Sequence, residues 1–251
     1  MTGAITEDGF LGGRLRLRQP ARGYRSGVEP VFLAAAVEAQ AGERVLELGC
    51  GVGAALYCLG TRVPGLELTG VERDPGTADL ARANAAANGI AARIVDGDAL
   101  DLPDPVRGES FDHVIANPPW LRSGAGPGAT VPGRDGGRRM VGDVGLWVKA
   151  ARRRARPGGR IALILPVGEL PAALVAAEGI GAMVATPFAS RAGRAPATVI
   201  LSGRKGARAP FVLTGVVTVH SGARHAGNGD DFTPEVRAVL RDGHAWSEVL
   251  G

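Results

Sequence analysis

Arg44-Val-Leu-Glu47-Leu-Gly49-Cys-Gly51-Val-Gly53-Ala-Ala-Leu-Tyr-Cys-Leu-Gly-Thr61 decides the fold. Its first five residues read as a short apolar strand, and Ala54 to Thr61 reads as a helix. Between them, glycines at every second position remove Cβ where a chain must turn tightly and approach a ligand. A helix N-terminus behind such a loop favours a negative group. About 20 residues on, a second strand ends in Val71-Glu72-Arg73-Asp74, and an acid there can accept hydrogen bonds from a ribose diol.

Outward from this unit the grammar stays regular. Leu66 to Glu72 reads as a strand and Gly76 to Asn88 as an Ala-rich helix closed by Gly89. Ala91 to Val95 and Phe111 to Ala116 read as strands, and Val144 to Arg156 as a helix. Pro157-Gly158-Gly159 predicts a turn into a strand over Arg160 to Leu165. Glu169 to Glu178 reads as a helix, then Ile180 to Thr186 and Ala197 to Ser202 as strands. This alternation predicts an α/β fold with a doubly wound, mostly parallel sheet. Upstream, Leu11 to Arg18 alternates apolar and basic residues, as a half-exposed strand does, and Val31 to Ala39 reads as a helix started by Pro30. Ser123 to Gly145 is Gly-rich and aperiodic, a loop in this reading. The organisation expected is an N-terminal extension over 1–40, a core over 41–204 and a C-terminal extension over 205–251, packed together.

Composition narrows the function classes. The chain has 251 residues, 45% hydrophobic and 22% charged, enough apolar area to offset the ordering entropy of a folded domain. Cys50 and Cys58 are too few for a disulfide framework or a four-thiolate zinc site, and the four histidines form no cluster, so no metal is expected. No run of about 18 apolar residues predicts a membrane span, and Met1 to Phe10 lacks a cationic start; a cytoplasmic protein is expected. The net charge is +4, and nearly all of the positive charge is Arg, gathered in three stretches: Arg14 to Arg25, Arg152 to Arg160 and Arg191 to Arg208. Such clusters suit solvated faces or a nucleic-acid surface.

The spacing G-x-G-x-G leans away from dinucleotides and toward S-adenosylmethionine (SAM). Glu47 to Gly53 with Glu72 resembles the first two motifs of the Rossmann-like class I methyltransferases. That resemblance implies a seven-stranded sheet with short N- and C-terminal additions. It implies SAM contacts at Glu47, Gly49, Gly51, Gly53 and Glu72, and an adenine contact after the third strand, where Asp98 is the better match.

Asn117-Pro118-Pro119-Trp120 follows the strand Phe111 to Ala116. Each proline fixes its own φ and pushes its predecessor into an extended conformation. Asn117 and Pro118 are therefore held stiffly at a strand's carboxyl end, where ligands sit in such sheets. The Asn117 side-chain oxygen and the Pro118 carbonyl stand as two acceptors for the two N–H bonds of an exocyclic amino group, and Trp120 can stack on a planar base. The motif resembles the N-P-P-[YFW] pattern of amino methyltransferases acting on adenine N6, guanine N2 or glutamine N5. Asn117, Pro118 and Trp120 are the expected catalytic residues, with Asn117 also near SAM.

Gly13 to Pro20, Gly23 to Glu29 and Leu33, with Phe211 to Val219 and Asp231 to Glu235 in the tail, resemble the bacterial tRNA (adenine-N6) methyltransferases that modify position 37 of a valine tRNA. This implies an RNA partner, with Arg14, Arg16, Arg18, Arg25 and Trp120 as candidate substrate contacts. The other readings are an amino methyltransferase on protein glutamine or rRNA guanine, and a non-catalytic RNA-binding relative.

Overall fold

The computed structural model describes residues 4–22, 25–104, 106–119, 144–222 and 230–250. Trp120 and most of the Gly-rich stretch lie outside them, as does Tyr24. The Arg44-Val-Leu-Glu-Leu48 run forms β3, buried from Val45 onward, as a strand covered on both faces must be. The parallel strands beside it are β4 (Glu67–Glu72), β5 (Ala92–Asp96) and β6 (Phe111–Ala116). Then come β7 (Ala155–Pro166), β8 (Ile180–Arg191) and β9 (Thr198–Lys205). The order β5-β4-β3-β6-β7-β9-β8 makes the expected seven strands, with β9 alone antiparallel.

The sheet continues one position further than the seven-stranded reading. Two short strands, β10 (Val212–Leu213) and β11 (Val217–His220), both pair with β8, giving nine strands. They are an edge strand with a gap. β10 reaches Ala185 and β11 starts at Phe188, so the break falls opposite Thr186 and Pro187. Pro187 has no N–H to give to a neighbour, which fits the interruption. β8 itself runs past the expected end at Thr186, because β9 pairs with it as far as Phe188.

Other boundaries move for local reasons. Pro157-Gly158-Gly159 makes its turn inside the span of β7: Gly158 has φ 75°, a Cβ at Gly159 would lie 3.0 Å from the Arg156 carbonyl oxygen, and a shift in register between Phe111 and His113 absorbs the loop. Helix α1 (Glu29–Ala35) stops four residues before Ala39, where Arg62 donates to the carbonyls of Ala34 and Val37. One strand goes unread in the sequence. β1 (Ile5–Phe10) pairs antiparallel with β2 (Leu15–Pro20) in a separate hairpin.

Helices α2 (Ala54–Arg62) and α3 (Pro75–Ala87) join α1 and the hairpin in one hydrophobic cluster. Helices α4 (Val144–Arg154) and α5 (Leu170–Ala176) cover the other face of the sheet. Helices α6 (Pro234–Arg237) and α7 (Trp246–Val249) return the tail to the first cluster. Thr233 caps α6, and Trp246 packs between Phe32 and Phe188 while its Nε1 donates to the Phe32 carbonyl at 2.9 Å.

Candidate cofactor and acceptor site

Register brings the expected site residues to one rim. Leu48 stands beside Val71 on one side and Ala116 on the other, and Glu72 stands beside Asp96. The residues that follow these strand ends are therefore neighbours at about the 4.8 Å spacing between strands. The rim reads Asn117, Gly49, Glu72 and Asp98 across the sheet.

The glycine loop uses all three glycines, each for a different reason. Gly49, Gly51 and Gly53 have φ of 67°, 55° and 90°, a region that costs any residue with a Cβ about 1–2 kcal/mol. At Gly53 a Cβ would lie 2.0 Å from the Tyr57 ring, which is fixed by its hydroxyl donating to the Ala81 carbonyl. At Gly49 it would lie 2.9 Å from the ring of Trp147. At Gly51 it would meet nothing within 4 Å. That position is an open cradle at the mouth of the loop.

Glu72 is held at this mouth. Its two oxygens accept from the backbone N–H groups of Gly51 at 3.0 Å and Asp74 at 2.9 Å. Each oxygen keeps a free lone pair for a diol. Asp74 in turn caps α3, and hydrogen bonds from the Thr77 hydroxyl and then the Thr77 N–H hold its carboxyl below the usual carboxylate range. Asp98 is exposed one turn beyond β5 and accepts from the Leu100 N–H. The Gly97 N–H ties this turn to the Glu72 carbonyl.

Glu47 stands apart from the other expected contacts. It is 2% exposed and lies behind the loop, accepting from the Leu56 N–H in the first turn of α2. Burial, aided by the charge of Glu72, pushes its pKa up to about 8. Asn117 is half-buried and Pro118 buried, at the end of β6 as expected.

Two features escaped the sequence reading. Asn84 and Asn88, one turn apart on α3, bracket the free edge of β2. Asn84 accepts from the Arg18 N–H and donates to the Arg18 carbonyl; Asn88 does the same at Arg16. The Asn84 amide also reaches the Val52 carbonyl, so one buried side chain joins the hairpin to the glycine loop. Two asparagines four apart in a run of alanines were the available signal. The second feature is Trp147, whose buried Nε1 has no hydrogen-bond partner. An unpaired buried N–H costs about 1–3 kcal/mol; the edge of the ring that faces Gly49 is the apolar one, Cη2 and Cζ3.

The hairpin arginines are less free than their sequence implies. Arg16 and Arg18 pair with Glu7 at 3.2 and 3.9 Å, and Arg25 pairs with Asp8 at 2.6 Å. Arg14 donates to the Leu11 carbonyl. No acid stands among them along the chain, but β1 brings two across.

Residues 30–131 match the family model described as the methyltransferase small domain. A predicted O-methyltransferase of Agrobacterium tumefaciens superposes with a TM-score of 0.69 at 24% identity, over 86% of this chain and 97% of its own. The chain carries the fold of a SAM-dependent methyltransferase. The 16S rRNA N2 G1207 methyltransferase of T. thermophilus, solved with AdoMet and guanosine, is similar at a TM-score of 0.57 and 22% identity, covering 80% of this chain and 50% of that one. By sequence, the chain is 37% identical over 118 residues to a tRNA1(Val) (adenine(37)-N6)-methyltransferase of Porphyromonas gingivalis, 44% of this chain and 46% of the relative. It is 30% identical over 134 residues to a release factor glutamine methyltransferase of Geobacter sulfurreducens, 50% of this chain and 46% of the relative. The chain thus spans about half the length of these relatives. Among the described residues no helix is long and apolar enough to cross a membrane, and no group of three His, Cys, Asp or Glu could hold a metal.

Proposed function

We propose that this protein is a SAM-dependent N-methyltransferase acting on an exocyclic amino group, adenine N6 of a tRNA being the substrate best supported. The observation that carries the reading is the pairing of Leu48 with Ala116, which sets Asn117-Pro118-Pro119 directly beside the glycine loop.

When bound, SAM supplies an electrophilic methyl group on a sulfonium. Gly51 leaves room for it, and Glu72 and Asp98 would hold its nucleoside end. On the other side, Asn117 and the Pro118 carbonyl accept the two N–H bonds of the acceptor amine. An aromatic or amide nitrogen is a poor nucleophile because its lone pair is delocalised. Accepting both protons in hydrogen bonds favours a pyramidal, electron-rich nitrogen aimed at the methyl group. No strong general base is needed, since the proton can leave after transfer. Catalysis is positioning and electrostatics.

The likeness to the adenine-N6 methyltransferase of P. gingivalis supports a tRNA. The likeness to release factor glutamine methyltransferases supports a second reading, a protein glutamine acceptor. Incubation with labelled SAM and either deproteinised tRNA or a protein fraction separates them. Label in N6-methyladenosine, identified by mass spectrometry of the nucleosides, is expected; label in protein alone would overturn the tRNA reading.

A further inference from the structure

The three basic stretches of the chain meet different fates in the fold. The hairpin arginines are balanced by Glu7 and Asp8. Arg156 pairs with Asp112, Arg160 with Glu38 and Arg191 with Asp231. Nine other cations of these stretches make no ion pair among the described residues: Arg14, Arg22 and Arg194, and six more, which are Arg152, Arg153 and Arg154 in the last turn of α4, Arg204 and Lys205 at the end of β9, and Arg208 just beyond. Far apart in sequence, these six meet in space. β7 starts at Ala155, directly after α4, and runs antiparallel to β9 with Arg160 opposite Arg204. Lys205 Nζ donates to the Ala155 carbonyl at 2.7 Å, and Arg204 Nε to the Gly158 carbonyl at 2.8 Å.

The crowding leaves a mark on the cluster. Burial first, and then the charges of Arg152 and Arg154, depress the Lys205 pKa; burial, and then Arg153 and Arg107, depress that of Arg154. The negative end of α4 accounts for cations in its own last turn. It does not account for Arg204 and Arg208, which belong to another element. Like charges gathered with no acid paired to them are stabilised by an anion, and a polyanion offers several at once.

We propose that this end of the molecule is a second docking surface for RNA, gripping the phosphate backbone away from the acceptor site. The inference rests on the RNA reading of the function. The surface lies at the amino ends of the parallel strands, opposite the rim that holds Asn117. Helix α4 spans eleven residues, so its two ends are about 16 Å apart. A folded RNA bridges that distance, and a single nucleotide does not. Phosphate contacts here would add affinity and register without reading sequence.

The test is an Arg153→Gln/Arg208→Gln double variant of the full chain. Both side chains are exposed and away from the acceptor site. Binding of bulk deproteinised tRNA is measured from 50 to 200 mM salt, beside a hairpin variant, Arg16→Gln/Arg18→Gln. The double variant is expected to flatten the dependence of log K on log salt by about 1.4–1.8, from 0.7–0.9 per lost contact, with melting temperature and SAM affinity unchanged. The hairpin variant is expected to change the slope less. Unaltered slope and affinity in the double variant, with wild type binding tRNA, would overturn the docking surface alone. Wild type that binds no tRNA would overturn the RNA reading with it. Loss of binding to phosphatidylglycerol vesicles, with tRNA binding intact, would assign the patch to a membrane surface and overturn it as well.

Discussion

Gly51→Ala separates the cost of a strained backbone from the cost of a blocked site. At φ 55° an alanine costs about 1–2 kcal/mol. Its Cβ meets nothing within 4 Å, so no packing penalty adds to this. For a protein of this size about 1 kcal/mol lowers the melting temperature by about 2–4 °C, so a fall of about 2–8 °C is expected. The new methyl group stands in the cradle beside Glu72, where a bound nucleoside must come closest. SAM affinity should therefore drop by more than about tenfold, a loss of at least 1.4 kcal/mol. Thermal melts with and without SAM, backed by calorimetric titration, measure both quantities. Gly53→Ala is the internal contrast, since its Cβ drives into a Tyr57 ring that cannot move away, and it should fall much further in stability. SAM affinity within twofold of wild type in Gly51→Ala would refute the cradle. So would a melting loss as large as that of Gly53→Ala, because the space at Gly51 would then not be open.

Three further outcomes are expected. Asn117→Ala should lower turnover by about 10²–10³, the loss of about 2–4 kcal/mol of positioned hydrogen bonding, with SAM affinity within a few fold; single-turnover methyl transfer and calorimetry check the two halves. Glu72→Ala should weaken SAM binding by about 1.5–3 kcal/mol, the range for a hydrogen bond to a charged group, with little effect at saturating SAM; titration of the ligand-free variant reads it. Glu47→Gln tests the buried acid. With a folded pKa of about 8 against 4.5 unfolded, the folded state holds a proton that the unfolded state releases, so this group makes stability fall as pH rises from about 4.5 to about 8. The neutral isostere should be no less stable than wild type at pH 8 and should lose that part of the slope, as denaturant melts across the range would show.

The glycine loop was legible because everything it needs is local. A strand, three left-handed turns and a helix follow one another in twenty residues, and each demand falls on a residue type that shows in the sequence. Strand β1 was not legible, because Thr6-Glu-Asp-Gly9 has weak strand propensity and becomes a strand only by pairing with β2. The turn at Pro157-Gly158-Gly159 was legible because it is local, a left-handed Gly158 after a proline. What the sequence did not show is that pairing with β6 resumes at Arg160, so that the turn becomes a bulge inside one strand.

The same contrast explains why the cofactor side of the site reads more clearly than the acceptor side. Gly51 donates to the Glu72 carboxylate and Gly97, next to Asp98, donates to the Glu72 carbonyl, so the geometry of these neighbours follows once the strand order is known. The acceptor side depends on charges whose meaning changes with their neighbours. Read along the chain, all three basic stretches lack acids, and each alone suits a solvated face as well as a nucleic-acid surface. In the fold the first group meets Glu7 and Asp8, while Lys205 reaches Ala155 just after α4 and Arg204 reaches Gly158. Charge balance is a property of contacts and not of sequence windows. Only the antiparallel placement of β9 against β7 turns two separate basic stretches into one surface, and that placement is set by the fold's single reversed strand.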